Sequence, residues 1–205
     1  MSSQLFALSD LHVDYDQNWK ALDTLEPRAQ DYLLIAGDIS HKVDRFEACL
    51  KKLSQKFNTL YWSPGNHDLW EDPQANISGE AKYQKLVKIC QNLGVKTPED
   101  PFDTFMLNGK KTSIATTFTG YDYSFCPPGF SPEEAIKWAY ETHTRCADEL
   151  RLKTNPFKSV RGNNPCTIFQ LNRLDLKSLG FLLALYEHKT FIEALILGID
   201  PFDQW

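Results

Sequence analysis

Three short clusters in the amino-acid sequence carry side chains suited to metal and acid–base chemistry: Asp10-Leu11-His12, Gly37-Asp38 and Gly65-Asn66-His67-Asp68. Together they offer carboxylate oxygen, amide oxygen and imidazole nitrogen but no thiolate, a donor set that suits manganese, iron or zinc better than copper. A carboxylate has two oxygens, so one Asp can bridge two cations, and such a pair activates water for in-line displacement at phosphorus. Asp38, central in the series, is the expected bridge. Taken singly, each Asp is an ordinary turn or helix-cap residue. Caps do not call for His12 and His67 as well, so the set reads as a site. Gly37 and Gly65 fit both readings, since glycine lets the backbone turn sharply at a strand end.

The elements that must position these clusters are short, apolar and β-prone: Leu5 to Leu8, Tyr32 to Ala36 and Thr59 to Trp62, with helix-like segments between them. That alternation predicts βαβαβ. Parallel strands joined by crossovers bring their carboxyl ends to one edge, where ligands bind in open α/β sheets. Asp10, His12, Asp38, Asn66 and His67 are then expected to converge. Phe46, Leu50, Leu53 and Phe57 form one helical stripe; Tyr83, Leu86, Val87, Cys90 and Leu93 form another that closes at Gly94. Asn108-Gly109, between Phe105-Met106-Leu107 and Ile114-Ala115-Thr116, predicts a hairpin. Ser131-Pro132-Glu133-Glu134 predicts a capped helix start, with the helix running to about Leu152. The aromatic stretch Tyr121 to Phe130 between hairpin and helix is expected to be a packed surface loop that overhangs the metal edge.

In this order and spacing, the clusters resemble the calcineurin-like metallophosphoesterase family, whose pattern runs D-x-H, then G-D, then G-N-H followed by D or E. The resemblance implies an α/β (α+β) fold, a four-layer αββα sandwich whose C-terminal part is incomplete here. It implies one domain over residues 1–205, family-like to 176 and divergent over 177–205. It also implies that Asp10 and His12 bind a first metal, that Asp38 bridges, and that Asn66 binds a second metal through its side-chain oxygen. His67 would protonate the leaving oxygen, with Asp68 orienting its ring, while hydroxide activated between the metals attacks phosphorus. An imidazole with a near-neutral pKa suits the acid role, and a carboxylate partner fixes its tautomer. A phosphoester substrate follows, with monoester, diester, nucleotide and phosphoprotein all open.

Family members carry a further His after a later strand and then a G-H-x-H pair, and this sequence has neither. Thr167 to Leu176 looks like a degraded form of the strand bearing the first of these, with Gln170 near its place. The second metal keeps only Asp38 and Asn66, fewer than the three or so protein ligands of most catalytic sites, and weak or single-metal occupancy is the expectation. His41 is expected in a loop or cap, His143 on the core-facing stripe Ile136, Tyr140, His143, Ala147, Leu150, and His188 on a solvated face; none is expected to be a ligand. The rival reading is a catalytically impaired relic that binds a metal or a partner, and a second rival is a fragment that does not fold stably.

Composition is consistent with one globular core: 205 residues, 42% hydrophobic and 13% aromatic. The net charge of −5 argues against nucleic acid or an anionic membrane as the primary partner. Cys49, Cys90, Cys126, Cys146 and Cys166 are odd in number and free of any C-x-x-C pair, which predicts reduced thiols in a cytoplasmic protein. Asp10 comes too early for a signal peptide's apolar core, so secretion is not expected. The apolar stretch from Leu179 to Gly198 is broken by Glu187, His188, Lys189 and Glu193, too short a run for a membrane span.

Overall fold

Three parallel strands, β1 (Leu5–Leu8), β2 (Arg28–Ala36) and β3 (Phe57–Ser63), form a sheet in the order β1-β2-β3. The structure is a computed structural model that describes residues 3–107, 109–117, 128–143 and 147–153. Leu5 lies opposite Tyr32, and Leu33 opposite Leu60. Helix α1 (Asp16–Ala21) with a following 3-10 turn connects β1 to β2, and α2 (Val43–Ser54) connects β2 to β3. After β3 come the single turn α3 (Asn66–Leu69) and the longer α4 (Gly79–Asn92). The chain then returns beside β3: Trp62 N donates to Lys96 O at 2.8 Å, and Lys96 N donates to Leu60 O at 2.9 Å.

Successive side chains of a strand point to opposite faces, and both faces here are apolar. Leu33, Ile35, Leu60 and Trp62 pack with Phe46, Leu50 and Leu53 of α2 and with Leu86, Val87 and Cys90 of α4. Leu5, Tyr32, Leu34 and Tyr61 form a separate cluster with Phe105, Leu107 and Ile114, which belong to the hairpin of β4 (Asp103–Leu107) and β5 (Lys110–Ile114). Tyr32 stacks on Phe105 with ring centroids 4.4 Å apart. Helices therefore cover one face of the sheet and a second sheet covers the other. Each fully buried aliphatic or aromatic side chain contributes roughly 1.5–3 kcal/mol. Burying both faces fixes the strand register, and hence the positions of the loops at the strand ends.

Several boundaries differ from the sequence expectation. Phe57 does not continue the α2 stripe; it opens β3, because the helix stops at Ser54. The second hairpin strand ends at Ile114 instead of starting there, with Gly109 at φ +79 in the turn. The helix α5 (Pro132–Glu141) has the expected capping box, Ser131 N donating to Glu134 Oε2 at 2.7 Å and Glu134 N donating to Ser131 Oγ at 3.2 Å. It ends at Glu141, about eleven residues early, and a separate turn, α6 (Asp148–Arg151), follows. Thr142 Oγ1 donates back to Trp138 O and Ala139 O, a local bond that competes with helix continuation. His143 is consequently exposed, at φ +57, and the expectation of a core-facing histidine fails. Tyr121 to Pro127, the Thr167 to Leu176 segment, the 177–205 tail and His188 lie outside the described residues. Among the described residues, no helix is long and apolar enough to cross a membrane.

Candidate metal centre

The three motif loops leave the carboxyl ends of β1, β2 and β3 and are tied to one another by their backbones. His12 N donates to Asp38 O at 2.9 Å, and Val13 N donates to Ile39 O at 2.9 Å. Asp38 Oδ1 in turn accepts from His67 N at 2.9 Å, joining the second loop to the third. Asp10, His12 and Asp38 all have positive φ, +55, +41 and +55. Non-glycine residues held there cost on the order of 1–3 kcal/mol each, and such strain clusters at functional sites. Gly37 and Gly65 make the close approach of two loops possible. A Cβ on Gly37 would lie 2.5 Å from Gly65 Cα, and one on Gly65 would lie 2.6 Å from Asp38 N.

Within this junction, ligating atoms of His12, Asp38 and His67 lie within 4.8 Å of one another, all three half-buried. The His12 and His67 rings meet edge to face with centroids 4.5 Å apart. The Asp10 carboxylate is 3.8 Å from His12 Nε2 and much more exposed, placing it at the outer rim of the same group. Burial pushes the His67 imidazole below its ordinary pKa, against the pull of Asp38. That favours the neutral ring, the form that ligates metals. Carboxylate oxygens beside imidazole nitrogens, held by strained backbone, fit a divalent cation of the manganese, iron or zinc kind.

His67, assigned to proton transfer from the sequence, thus sits inside the ligating cluster. Its ring stacks on Trp70, centroids 3.6 Å apart and planes at 29°. Asn66 is placed by its side chain: Nδ2 donates to Asp148 Oδ1 at 2.8 Å. The amide nitrogen faces α6 and the oxygen faces away from it.

Asp68 is not the partner of the His67 ring. It is fully buried, and its carboxylate accepts four hydrogen bonds: from Ile39 N (2.8 Å) and Ser40 N (3.1 Å) on one oxygen, and from Gly65 N (3.1 Å) and Trp62 Nε1 (3.2 Å) on the other. Consecutive residues on a helical turn diverge by about 100°, so with His67 facing the cluster Asp68 points into the core. Burial raises its carboxyl to about 6, opposed by the bonds from Gly65, Ser40 and Trp62. Its observed work is to hold the β2 and β3 loops together.

Three neighbours of the site, Asp14, Asp148 and Lys82, had no prominent sequence signal. Asp14 Oδ1 accepts from Ser40 Oγ at 2.9 Å, and Asp14 Oδ2 lies 3.1 Å from His41 Nδ1. Asp148 accepts from Asn66 and from the Trp70 indole. Lys82, wholly buried, donates to His41 O at 2.7 Å and to Trp70 O. A lysine four residues before Leu86, on the apolar stripe of α4, was the one readable clue.

Comparison with known proteins gives two kinds of match. The calcineurin-like phosphoesterase family profile matches residues 4–143, and the phosphoglucose isomerase profile matches residues 132–205. The acyl-carrier-protein phosphodiesterase PptH of Mycobacterium tuberculosis is 37% identical over 158 residues, 75% of this chain and 48% of that protein. The crystal structure of phosphopantetheinyl hydrolase PptH from Mycobacterium tuberculosis superposes with a TM-score of 0.75 at 34% identity, covering 85% of this chain and 64% of that one. Glucose-6-phosphate isomerase 1 of Neisseria gonorrhoeae is 33% identical over 190 residues, 85% of this chain and 34% of that protein. The chain therefore spans about half the length of the first of these relatives and a third of the isomerase. Thr167 to Leu176, expected to be a degraded phosphoesterase strand, falls within the isomerase-matching residues.

Proposed function

The chain belongs to the calcineurin-like phosphoesterase family, and on that premise we propose that it is a metal-dependent hydrolase of phosphodiesters. The observation that carries this reading is the approach of His12, Asp38 and His67 to within 4.8 Å at the carboxyl edge of the parallel sheet. Likeness to an acyl-carrier-protein phosphodiesterase and phosphopantetheinyl hydrolase supports a phosphopantetheinyl diester on a carrier protein as the substrate.

In this reading Asp10, His12 and Asp38 would hold a divalent cation, and Asp38 and the Asn66 amide oxygen would be the ligands for a second; manganese is the first candidate. Bound cations supply positive charge for the phosphoryl oxygens and lower the pKa of water. The chain's own residues do the rest. The hydrogen bond from His67 N fixes the Asp38 carboxylate, so its oxygens are oriented before any ligand arrives. Trp70 holds the His67 ring by stacking and shields one face from water. Burial lowers the pKa of the ring, and an arriving phosphoester anion opposes that shift by favouring the protonated form. It can then deliver a proton to the departing oxygen. The buried thiols Cys49 and Cys90 fit the reducing cytoplasm. The phosphoesterase unit is formed in this reading by the residues up to Leu152, which packs against Leu69 and Trp70.

The test is manganese-dependent hydrolysis of bis(p-nitrophenyl) phosphate by the full chain, beside His67→Ala and Asp38→Asn. Loss of turnover by about 10²–10⁴-fold in His67→Ala is expected for a general acid. Folded wild-type protein without turnover would overturn the hydrolase reading. A second reading, a metal-binding chain without turnover, is favoured by the match of residues 132–205 to an isomerase instead of to the strands that carry the family's later histidines.

A further inference from the structure

We infer that Asp148 is a positioning residue: it sets the orientation of the Asn66 amide and of the Trp70 indole, and through them the faces that Asn66 and His67 turn to the metal centre. The inference rests on the phosphoesterase reading above, in which Asn66 is a ligand.

Asp148 lies 82 residues from Asn66 in sequence, beyond the part that matches the phosphoesterase profile. It is nevertheless buried, 7% exposed, directly behind the third motif loop. One of its oxygens, Oδ1, accepts from both Asn66 Nδ2 and Trp70 Nε1. The chemistry of that oxygen decides the geometry. A primary amide can sit in two orientations of nearly equal shape, and Asp148 Oδ1, which takes the Trp70 indole N–H, is presented to Asn66 as an acceptor. Facing Asp148, the Asn66 nitrogen donates a hydrogen bond, whereas the flipped amide would set oxygen against oxygen. The Asn66 oxygen is therefore held on the far side, available to a cation.

The second bond acts on His67. Trp70, anchored through its indole N–H, stacks its ring on His67 at 3.6 Å. Arg151, also in α6, lies over the Trp70 ring at 4.7 Å. Glu71 N donates to Arg151 O at 3.0 Å, and Leu152 packs with Leu69 and Trp70. Helix α6 is thus docked on the loop that carries both residues, with Asp148 as its polar contact to them. Truncating partners that orient metal ligands typically weakens metal binding about 10–100-fold.

The experiment titrates Mn²⁺ calorimetrically into the metal-free full chain: wild type, Asp148→Leu, Asp148→Asn, Asn66→Ala, and the double variant Asn66→Ala with Asp148→Leu. Asp148→Leu should weaken binding about 10–100-fold. Asp148→Asn keeps an acceptor oxygen for both donors and should restore most of the affinity. In the Asn66→Ala background, Asp148→Leu should cause a clearly smaller loss, because only the route through Trp70 and His67 remains. Equal affinity of wild type and Asp148→Leu would overturn the proposal. An equal loss in the Asn66→Ala background, or a loss in Asp148→Asn as large as in Asp148→Leu, would also overturn it by making Asp148 a ligand in its own right. If Asp148→Leu does not fold, Asp148→Ala takes its place in both backgrounds and is read in the same way. A wild type that takes up no Mn²⁺ overturns the phosphoesterase reading itself, and is told apart by failing before any variant is compared.

Discussion

Replacing Lys82 with Met should abolish a pH-dependent stabilisation of about 2 kcal/mol between about pH 7 and about pH 9.5. Lys82 is wholly buried, and burial lowers its ammonium from 10.5 to about 8 despite the attraction of Asp68, Asp72 and Asp14. It sits beneath the loops that follow β2 and β3, bonded to the carbonyls of His41 and Trp70. The unfolded chain keeps this proton to about 10.5, whereas the folded chain releases it near 8. A folded pKa below the unfolded one means that the contribution to stability is present above 10.5 and is lost as pH falls through about 8. Each pH unit of depression corresponds to about 1.36 kcal/mol. Integrating the difference in bound protons over the window yields about 2 kcal/mol. The buried thiols Cys49 and Cys90, whose pKa values burial raises, act in the opposite direction over the same range. The quantity to read is therefore the difference between wild type and Lys82→Met. Met fills a comparable volume, and the His41 and Trp70 carbonyls it leaves unpaired cost a pH-independent amount that drops out of the comparison. Urea denaturation followed by circular dichroism should show the wild-type midpoint gaining about 1 M relative to the variant across the window, for a slope of about 2 kcal/mol/M. Parallel changes in the two proteins would refute the account of Lys82 as a buried cation.

Other expectations concern the junction and the core. Gly65→Ala places a Cβ 2.6 Å from Asp38 N and 2.8 Å from Asp38 Cγ. The loops must separate, at a cost of about 3 kcal/mol, visible as a melting temperature lower by roughly 6–12 °C; an unchanged melt would refute it. Asp68→Asn turns an NH₂ toward two buried donors, either Ile39 and Ser40 or Gly65 and Trp62. Two unpaired donors cost about 2–6 kcal/mol, to be measured by urea unfolding. Burial pushes the Cys49 thiol up to about 12 and raises Cys90 likewise. Titration with an aromatic disulfide at about pH 8 should find both thiols unreactive until denaturant is added.

Much of the layout was legible because it rests on local patterns. The runs Leu5 to Leu8, Tyr32 to Ala36 and Thr59 to Trp62 are all in the sheet, since apolar β-prone residues between helical stripes leave few alternatives. The capping box at Ser131 and Glu134 formed because its two bonds involve residues three apart. The end of α5 was missed: the stripe from Ile136 to Leu150 has the helical period, but Thr142 bonds its own helix and His143 turns left-handed.

The sequence by itself determined which residues are gathered, because strand order and the parallel crossovers bring Asp10, His12, Asp38, Asn66 and His67 to one edge whatever the side chains do next. Only the tertiary structure decided their division of labour. Asp68 serves the core instead of the His67 ring because neighbouring positions on the α3 turn point apart. Asp148 reaches Asn66 across 82 residues. Such a contact is set by how α6 packs on α3, and packing between distant segments leaves no periodic trace along the chain.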